Sequence, residues 1–258
     1  MAAPLISLAN VHKRYASGLL ALQGVSLQVA KGELVSLLGP SGCGKSTVLR
    51  LVAGLDQASS GEITSPALGP SPSPAGTAFV FQDPTLMPWA SVFDNVWLPL
   101  RLAGMSRADA AERVHQQLAA VGLGEFAQAF PSELSGGMRM RASIARALVT
   151  DPALLLMDEP FAALDEFTRQ KLNADLLAWW QRQGLSLLFV THSVFEAVFL
   201  SQRVVVMGAR PGRVLAEITI DEACPRNSDF RTSTRYASWC RQVTQALETA
   251  HGSAVDPA

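Results

Sequence analysis

Apolar positions change their rhythm along the chain. From Leu5 to about Val80 they come in short, β-branched runs set apart by turn residues, LISLANV, LQGVSLQV, ELVSLLG, GEI and TAFVFQ, and such runs predict strands. One helical stretch, STVLRLVAGL, interrupts them. Before the last of these strands lies TSPALGPSPSPAG. Proline neither donates to a ladder nor fits a helix interior, so Ser65 to Gly76 is expected to be a surface loop.

From about Pro88 to Thr150 the spacing turns helical. In SRADAAERVHQQLAAVGL, Ala110, Val114, Leu118 and Val121 fall on one face, which predicts a helical insert over 88–150. Strand signals return in ALLLMD, LSLLFVTH and RVVVMG, separated by the helical stretches TRQKLNADLLAWWQRQG and VFEAVFLSQ. Uninterrupted apolar strands alternating with helices predict an α/β fold around a largely parallel sheet covered on both faces. After about Asp221 the chain is more polar. There TRYASWCRQVTQALETA brings Tyr236, Trp239, Val243 and Leu247 close to one face, predicting a docked terminal helix, and HGSAVDPA reads as frayed. The expected division is a body over 1–220 and a helical tail over 221–258.

Composition narrows the class. The 258 residues suit one or two domains at roughly 100–200 residues each. Hydrophobic residues make up 48%, yet the longest apolar runs fall far short of the ~20 residues a bilayer span requires. A net charge of −1 supplies no broad attraction for nucleic acid or lipid, and no nucleic-acid partner is expected. The first residues lack the basic, apolar and small-residue order of an export signal. Cys43, Cys224 and Cys240 fit free thiols of a reducing compartment.

The candidate chemistry starts at GPSGCGKST: Gly39, Pro40, Ser41, Gly42, Cys43, Gly44, Lys45, Ser46 and Thr47. This run follows a strand and opens a helix, as a phosphate-binding loop requires. Its glycines let backbone N–H groups converge on β- and γ-phosphate oxygens, with the helix N-terminus adding its dipole. Lys45 brings a point charge, Ser46 a hydroxyl for Mg²⁺, and Thr47 a reach to the α-phosphate. Cys43 reads as a small filler through which an oxidant could act. LLLMDEP ends a buried strand in two acids. Asp158 suits Mg²⁺ through its water shell, and Glu159 suits polarisation of the attacking water. Gln82, at the end of FVFQ, offers an amide to Mg²⁺ or that water, and His192, ending LLFVTH, can meet the γ-phosphate or Glu159. LSGGMRMRASIARAL, a Ser-Gly-Gly turn opening a helix, looks like a second phosphate seat.

In this order and spacing, GPSGCGKST, Gln82, LSGGM, LLLMDEP, Ala163-Leu164-Asp165 and His192 resemble an ABC transporter nucleotide-binding subunit over nearly the whole chain. A P-loop GTPase would need N-K-x-D, and a RecA-type motor would lack LSGG. The resemblance implies an ABC ATPase fold of the P-loop NTPase type, with a RecA-like core, an antiparallel β subdomain and a helical subdomain. It implies ATP and Mg²⁺, and a head-to-tail homodimer in which Ser135, Gly136 and Gly137 reach the γ-phosphate held by the partner chain while Asp165 makes contacts across the pair. Tyr15 would stack on adenine. Integral-membrane permease subunits would carry the solute, with this subunit at the cytoplasmic face of the inner membrane. Met87, Trp89, Phe93 and Trp97 would then offer an apolar surface to a permease helix, some of them serving as core.

Within the family, QDPTLMPWASVFDNV, the Met in LSGGMRMR and EAVFLSQRVVVMGARPGRV look most like subunits energising nitrate, sulfonate and taurine importers, a group that also takes up pyrimidine-type vitamin precursors. An extracytoplasmic solute-binding protein would complete such a system. Met140 stands where that group usually has Gln, and is expected to be a packing variant. The alternatives are an ABC ATPase of DNA maintenance or translation, which would usually show a long coiled-coil insertion or two fused cassettes, and a module that has lost hydrolysis, against which Lys45, Asp158, Glu159 and His192 all stand.

Overall fold

The computed structural model describes residues 4–68, 76–224 and 226–252. In chain order come β1 (Ile6–Arg14), β2 (Leu20–Val29), β3 (Leu34–Leu38), α1 (Lys45–Val52), β4 (Ser60–Thr64) and β5 (Thr77–Val80). Next are α2 (Val92–Leu102), α3 (Arg107–Ala120) and α4 (Gly136–Leu148). The chain then runs through β6 (Leu154–Asp158), α5 (Glu166–Gln183), β7 (Ser186–Thr191), α6 (Val194–Leu200), β8 (Arg203–Gly208), β9 (Arg213–Thr219), α7 (Ser228–Arg231) and α8 (Thr234–Gly252). A three-stranded antiparallel sheet has the order β2-β1-β4, and a six-stranded sheet the order β5-β6-β7-β3-β8-β9. All neighbours in the larger sheet are parallel except β9, which runs antiparallel to β8.

The central strands explain themselves. Every residue of β3 and β7 is buried, as expected of a parallel sheet covered on both faces. β9 escaped the sequence reading. In RVLAEIT half-buried Val214, Ala216 and Ile218 alternate with exposed neighbours, the two-residue period of an edge strand with one face toward water. Two tryptophans on α5 bury their rings and still satisfy their indole N–H groups, Trp179 donating to the Ala120 carbonyl at 3.1 Å and Trp180 to that of Gly32 at 3.2 Å.

Ala110, Val114, Leu118 and Val121 are all fully buried in the insert, as their spacing predicts. Ser65 departs from the surface-loop expectation: it is buried and its hydroxyl donates to the Val52 carbonyl at 2.7 Å. Residues 69–75 of that loop, like 253–258 of the tail, lie outside the described residues. The terminal helix does dock. Tyr236 and Val243 are buried against the body with Trp239 and Leu247 partly covered, and the Tyr236 hydroxyl donates to the Phe195 carbonyl at 2.9 Å. Arg226 fixes the approach to it, its guanidinium donating to the carbonyls of Val198, Phe199 and Ser201 at 2.7, 3.0 and 2.8 Å, the acceptors left open where α6 ends.

Candidate functional site

The ends of β1, β3, β5 and β6 and the start of α1 converge on a cavity of about 650 Å³. β3 runs into the glycine-rich loop, which turns into α1. The turn requires glycine at 44: its φ is 94°, and a Cβ there would meet Leu22 Cδ2 at 2.6 Å. α1 has no capping side chain and no acid in its first turn. By contrast α2, α3, α4, α5, α6 and α7 are each capped by a Ser, Asp or Asn side chain. The first-turn N–H groups of α1 are therefore left for an anion.

Tyr15, Ser41, Gly42, Gly44, Lys45, Ser46, Thr47, Gln82, Asp158 and Glu159 all line this cavity. The Tyr15 hydroxyl lies 3.2 Å from Thr47 Oγ1, and Lys13 Nζ sits 4.9 Å from the ring centroid of Tyr15. Lys45 is almost wholly buried and donates to the carbonyls of Gly39 and Pro40 at 2.8 and 3.1 Å. Cys43 is fully buried, and burial pushes its thiol up, so it is a filler and not an exposed oxidation site.

Glu159 occupies a strained position. Its φ is 45°, its N–H donates to Val190 at 3.0 Å, and its carboxylate lies between two partners, Lys45 Nζ at 3.4 Å and His192 Nδ1 at 3.0 Å. With Nδ1–H donating to Glu159, a neutral imidazole presents Nε2 only as an acceptor. Donation from Nε2 to a phosphate then needs a second proton on the ring. The two roles anticipated for His192 are thus not simultaneously open to the neutral side chain.

Beside them Ser46 Oγ donates to Asp158 Oδ1 at 2.9 Å. Burial pushes the Asp158 carboxyl up and the nearby Glu159 adds to this, against the pull of Ser46 and Lys45. Two oxygens this close, with the Gln82 amide on the same wall, form an oxygen donor set that suits a hard divalent cation. No group of three His, Cys, Asp or Glu side chains among the described residues assembles a metal site alone, so phosphate or water oxygens would complete the shell.

The second phosphate seat is elsewhere. Neither Ser135, Gly136, Gly137 nor Asp165 lines the cavity. Ser135 is exposed and caps α4 by accepting from the Met138 N–H at 3.3 Å, which leaves the hydroxyl proton free for an outside acceptor. Gly137 is buried against Thr168 on α5, whose own cap is Asp165, so the two segments form one surface. The N–H of Thr168 holds the Asp165 carboxyl below its usual range. A neighbouring hollow of about 700 Å³ touches Gly136, Met140, Gln82 and Asp158. Met140 itself is buried core, as expected of a packing variant.

The family model for ABC transporters matches residues 22–162. The chain belongs to the ABC transporter family. This ABC subunit is 47% identical over 208 residues to a taurine import ATP-binding protein of Rhizobium johnstonii, covering 81% of the chain and 79% of the relative. It is 45% identical over 242 residues to an aliphatic sulfonates import ATP-binding protein of Pseudomonas syringae pv. syringae, covering 93% and 94%. Among solved structures it resembles a dimeric ATP-binding cassette in a post-hydrolysis state bound to ADP and Pi, with 32% identity, a TM-score of 0.73, and coverage of 84% of this chain and 100% of that one. The protein is accordingly an ABC-type ATPase.

Several residues of this ABC subunit that shape the site were not anticipated. Arg146 on α4 donates to the carbonyls of Pro84 and Thr85 at 2.9 and 2.8 Å, clasping the loop that follows Gln82. Asn95, fully buried, accepts from the Met87 N–H at 2.7 Å and donates back to the Met87 carbonyl at 3.1 Å. Arg210 and Pro211 line the cavity. Neither an Arg on an amphipathic helix nor an Asn in a loop-helix junction carries a sequence signal for these contacts. Of the four residues expected to form an apolar surface, Trp89 is 76% exposed but Phe93 is only 2% exposed, packed 5.2 Å from the His115 ring. Phe93 is core because, as the second residue of α2, it faces His115 on α3.

Proposed function

We propose that this chain is the ATP-binding and ATP-hydrolysing subunit of a bacterial ABC importer, working as a homodimer beneath separate permease subunits. The observation that carries the reading is the placement of Glu159, held between Lys45 and His192 on the wall of the cavity lined by Tyr15, Ser46, Gln82 and Asp158. Lys45 and the backbone N–H groups of the glycine-rich loop from Ser41 onward bind the β- and γ-phosphates, Thr47 meets the α-phosphate, and Tyr15 stacks on adenine. Ser46, Gln82 and Asp158 hold Mg²⁺, which when bound offsets charge on the phosphate oxygens. Glu159 orients water in line with the γ-phosphorus and takes up its proton, while His192 keeps that carboxylate in place.

Ser135, Gly136, Gly137 and Asp165 serve the partner chain's nucleotide. Their position outside the cavity supports this role, as does the dimeric state of the solved cassettes similar to this chain. No helix among the described residues is long and apolar enough to cross a membrane, so a separate permease would carry the solute, with this subunit bound at the cytoplasmic face of the inner membrane and exposed Trp89 near the contact. The names of the relatives favour solutes of the taurine and sulfonate kind over nitrate or pyrimidine precursors. A solute-binding protein outside the membrane would choose among them.

Glu159→Gln tests the catalytic assignment. The amide cannot accept the water proton, so steady-state ATP turnover is expected to fall about a hundredfold or more. ATP affinity is expected to hold or rise, because Lys45 is freed from its carboxylate partner. Turnover close to that of the unaltered chain would overturn the assignment.

A further inference from the structure

The nucleotide cavity contains a second cation besides Lys45. Arg210, in the turn between β8 and β9, lines the same wall as Tyr15, Ala21 and Lys45. This turn is fastened on two sides. The Gly212 N–H donates to Ala21 at 2.9 Å, and the Gln23 N–H donates to Gly212 at 2.9 Å. Gly212 also passes so close to the phosphate loop that a Cβ would lie 2.3 Å from the Cys43 carbonyl. Arg210 is thereby held at the seam between β2, beside Tyr15, and the loop that cradles phosphate.

Its backbone is left-handed, with φ of 56°, a conformation that costs a non-glycine residue energy and that clusters at ligand sites. Its side chain is exposed and makes no hydrogen bond or ion pair with any other described residue. Lys45, by contrast, is already engaged by two carbonyls and by Glu159. Asp158 and Glu159 stand in the same cavity, so a polyphosphate entering it meets two carboxylates and one partly committed cation. A free guanidinium at the mouth, with planar paired donors, is the chemical complement of that anion.

We propose that Arg210 is a nucleotide-binding residue whose guanidinium contacts the phosphate chain at its ribose-proximal end, opposite the Lys45 end. The proposal rests on reading this cavity as the ATP site, and the test separates the two. Binding of ATP, ADP and adenosine is measured by calorimetry for the unaltered chain and for Arg210→Ala, Arg210→Lys and Lys45→Ala, with thermal melts to verify that each is folded. Arg210→Ala is expected to weaken ATP and ADP about tenfold, the loss of one charged hydrogen-bonding group, and to leave adenosine unchanged. Arg210→Lys is expected to recover part of the loss, since the charge returns without the fork. ATP and ADP affinities within about twofold of the unaltered chain for Arg210→Ala, or an equal loss for adenosine, would overturn the Arg210 assignment alone, provided Lys45→Ala still abolishes ATP binding. ATP binding that survives Lys45→Ala intact would overturn the reading of the cavity itself.

Discussion

At the scale of single residues, the site is built from contacts between parts of the chain that are distant in sequence. Ser46 and Asp158 meet across 112 residues, and Glu159 faces Lys45 and His192 at once. The residue types were legible, because a Gly-rich loop, a strand-end acid pair and a strand-end histidine each carry their chemistry in a short run. Their mutual geometry was not. No spacing says that Glu159 holds Lys45, or that its contact with His192 leaves a neutral ring only an accepting nitrogen. Lys13 is another such residue: it donates to Asp56 at 2.5 Å and to the Gln57 carbonyl at 2.8 Å while lying over the Tyr15 ring. The hydrogen bond from Lys13 holds the Asp56 carboxyl below its usual 3.8. A carboxyl lowered in the folded state contributes stability that is present above the unfolded value and lost as pH falls through the folded one. Asp56→Asn is therefore expected to lower the melting temperature at neutral pH, and the gap to the unaltered chain should close as pH drops below 3.8. A gap that stays constant down through that range would show that Lys13 does not stabilise the ionised Asp56 carboxylate in the folded chain.

At the scale of elements, the hydrophobic rhythm announced the central strands and the insert, because full burial and a helical stripe both leave long, regular patterns. β9 was missed, and which of the aromatic residues around α2 serve as core was left open, for related reasons. β9 is a half-exposed edge strand directly after a turn containing Pro211 and Gly212, and Phe93 sits among aromatic neighbours of which Trp89 does face outward. α1 and α4 present opposite solutions at their N-termini. The first is uncapped beside the cavity, and the second is capped by the very serine expected to meet a phosphate. α4 also carries Arg146, whose guanidinium joins it to the loop after Gln82. Arg146→Ala is expected to cost about 1.5–3 kcal/mol in urea unfolding, the range for hydrogen bonds to a charged group, and to raise protease cleavage in residues 83–85. Unchanged stability together with unchanged cleavage would show that the clasp does not hold the loop.

At the scale of the whole molecule, one chain carries a complete cradle and, on a separate surface, a serine-capped helix start beside Asp165. Local sequence showed both features but not their separation, which depends on how the insert sits on the core. We propose that the second surface completes a partner's site. The most direct test mixes Lys45→Ala chains with Ser135→Arg chains and follows ATP hydrolysis against the mixing ratio. Each variant alone is expected to be inactive, while a mixed pair contains one site made from an intact cradle and an intact Ser-Gly-Gly turn, so activity should rise to a maximum near equal proportions. Activity that stays at the level of the separate variants at every ratio would contradict the shared site.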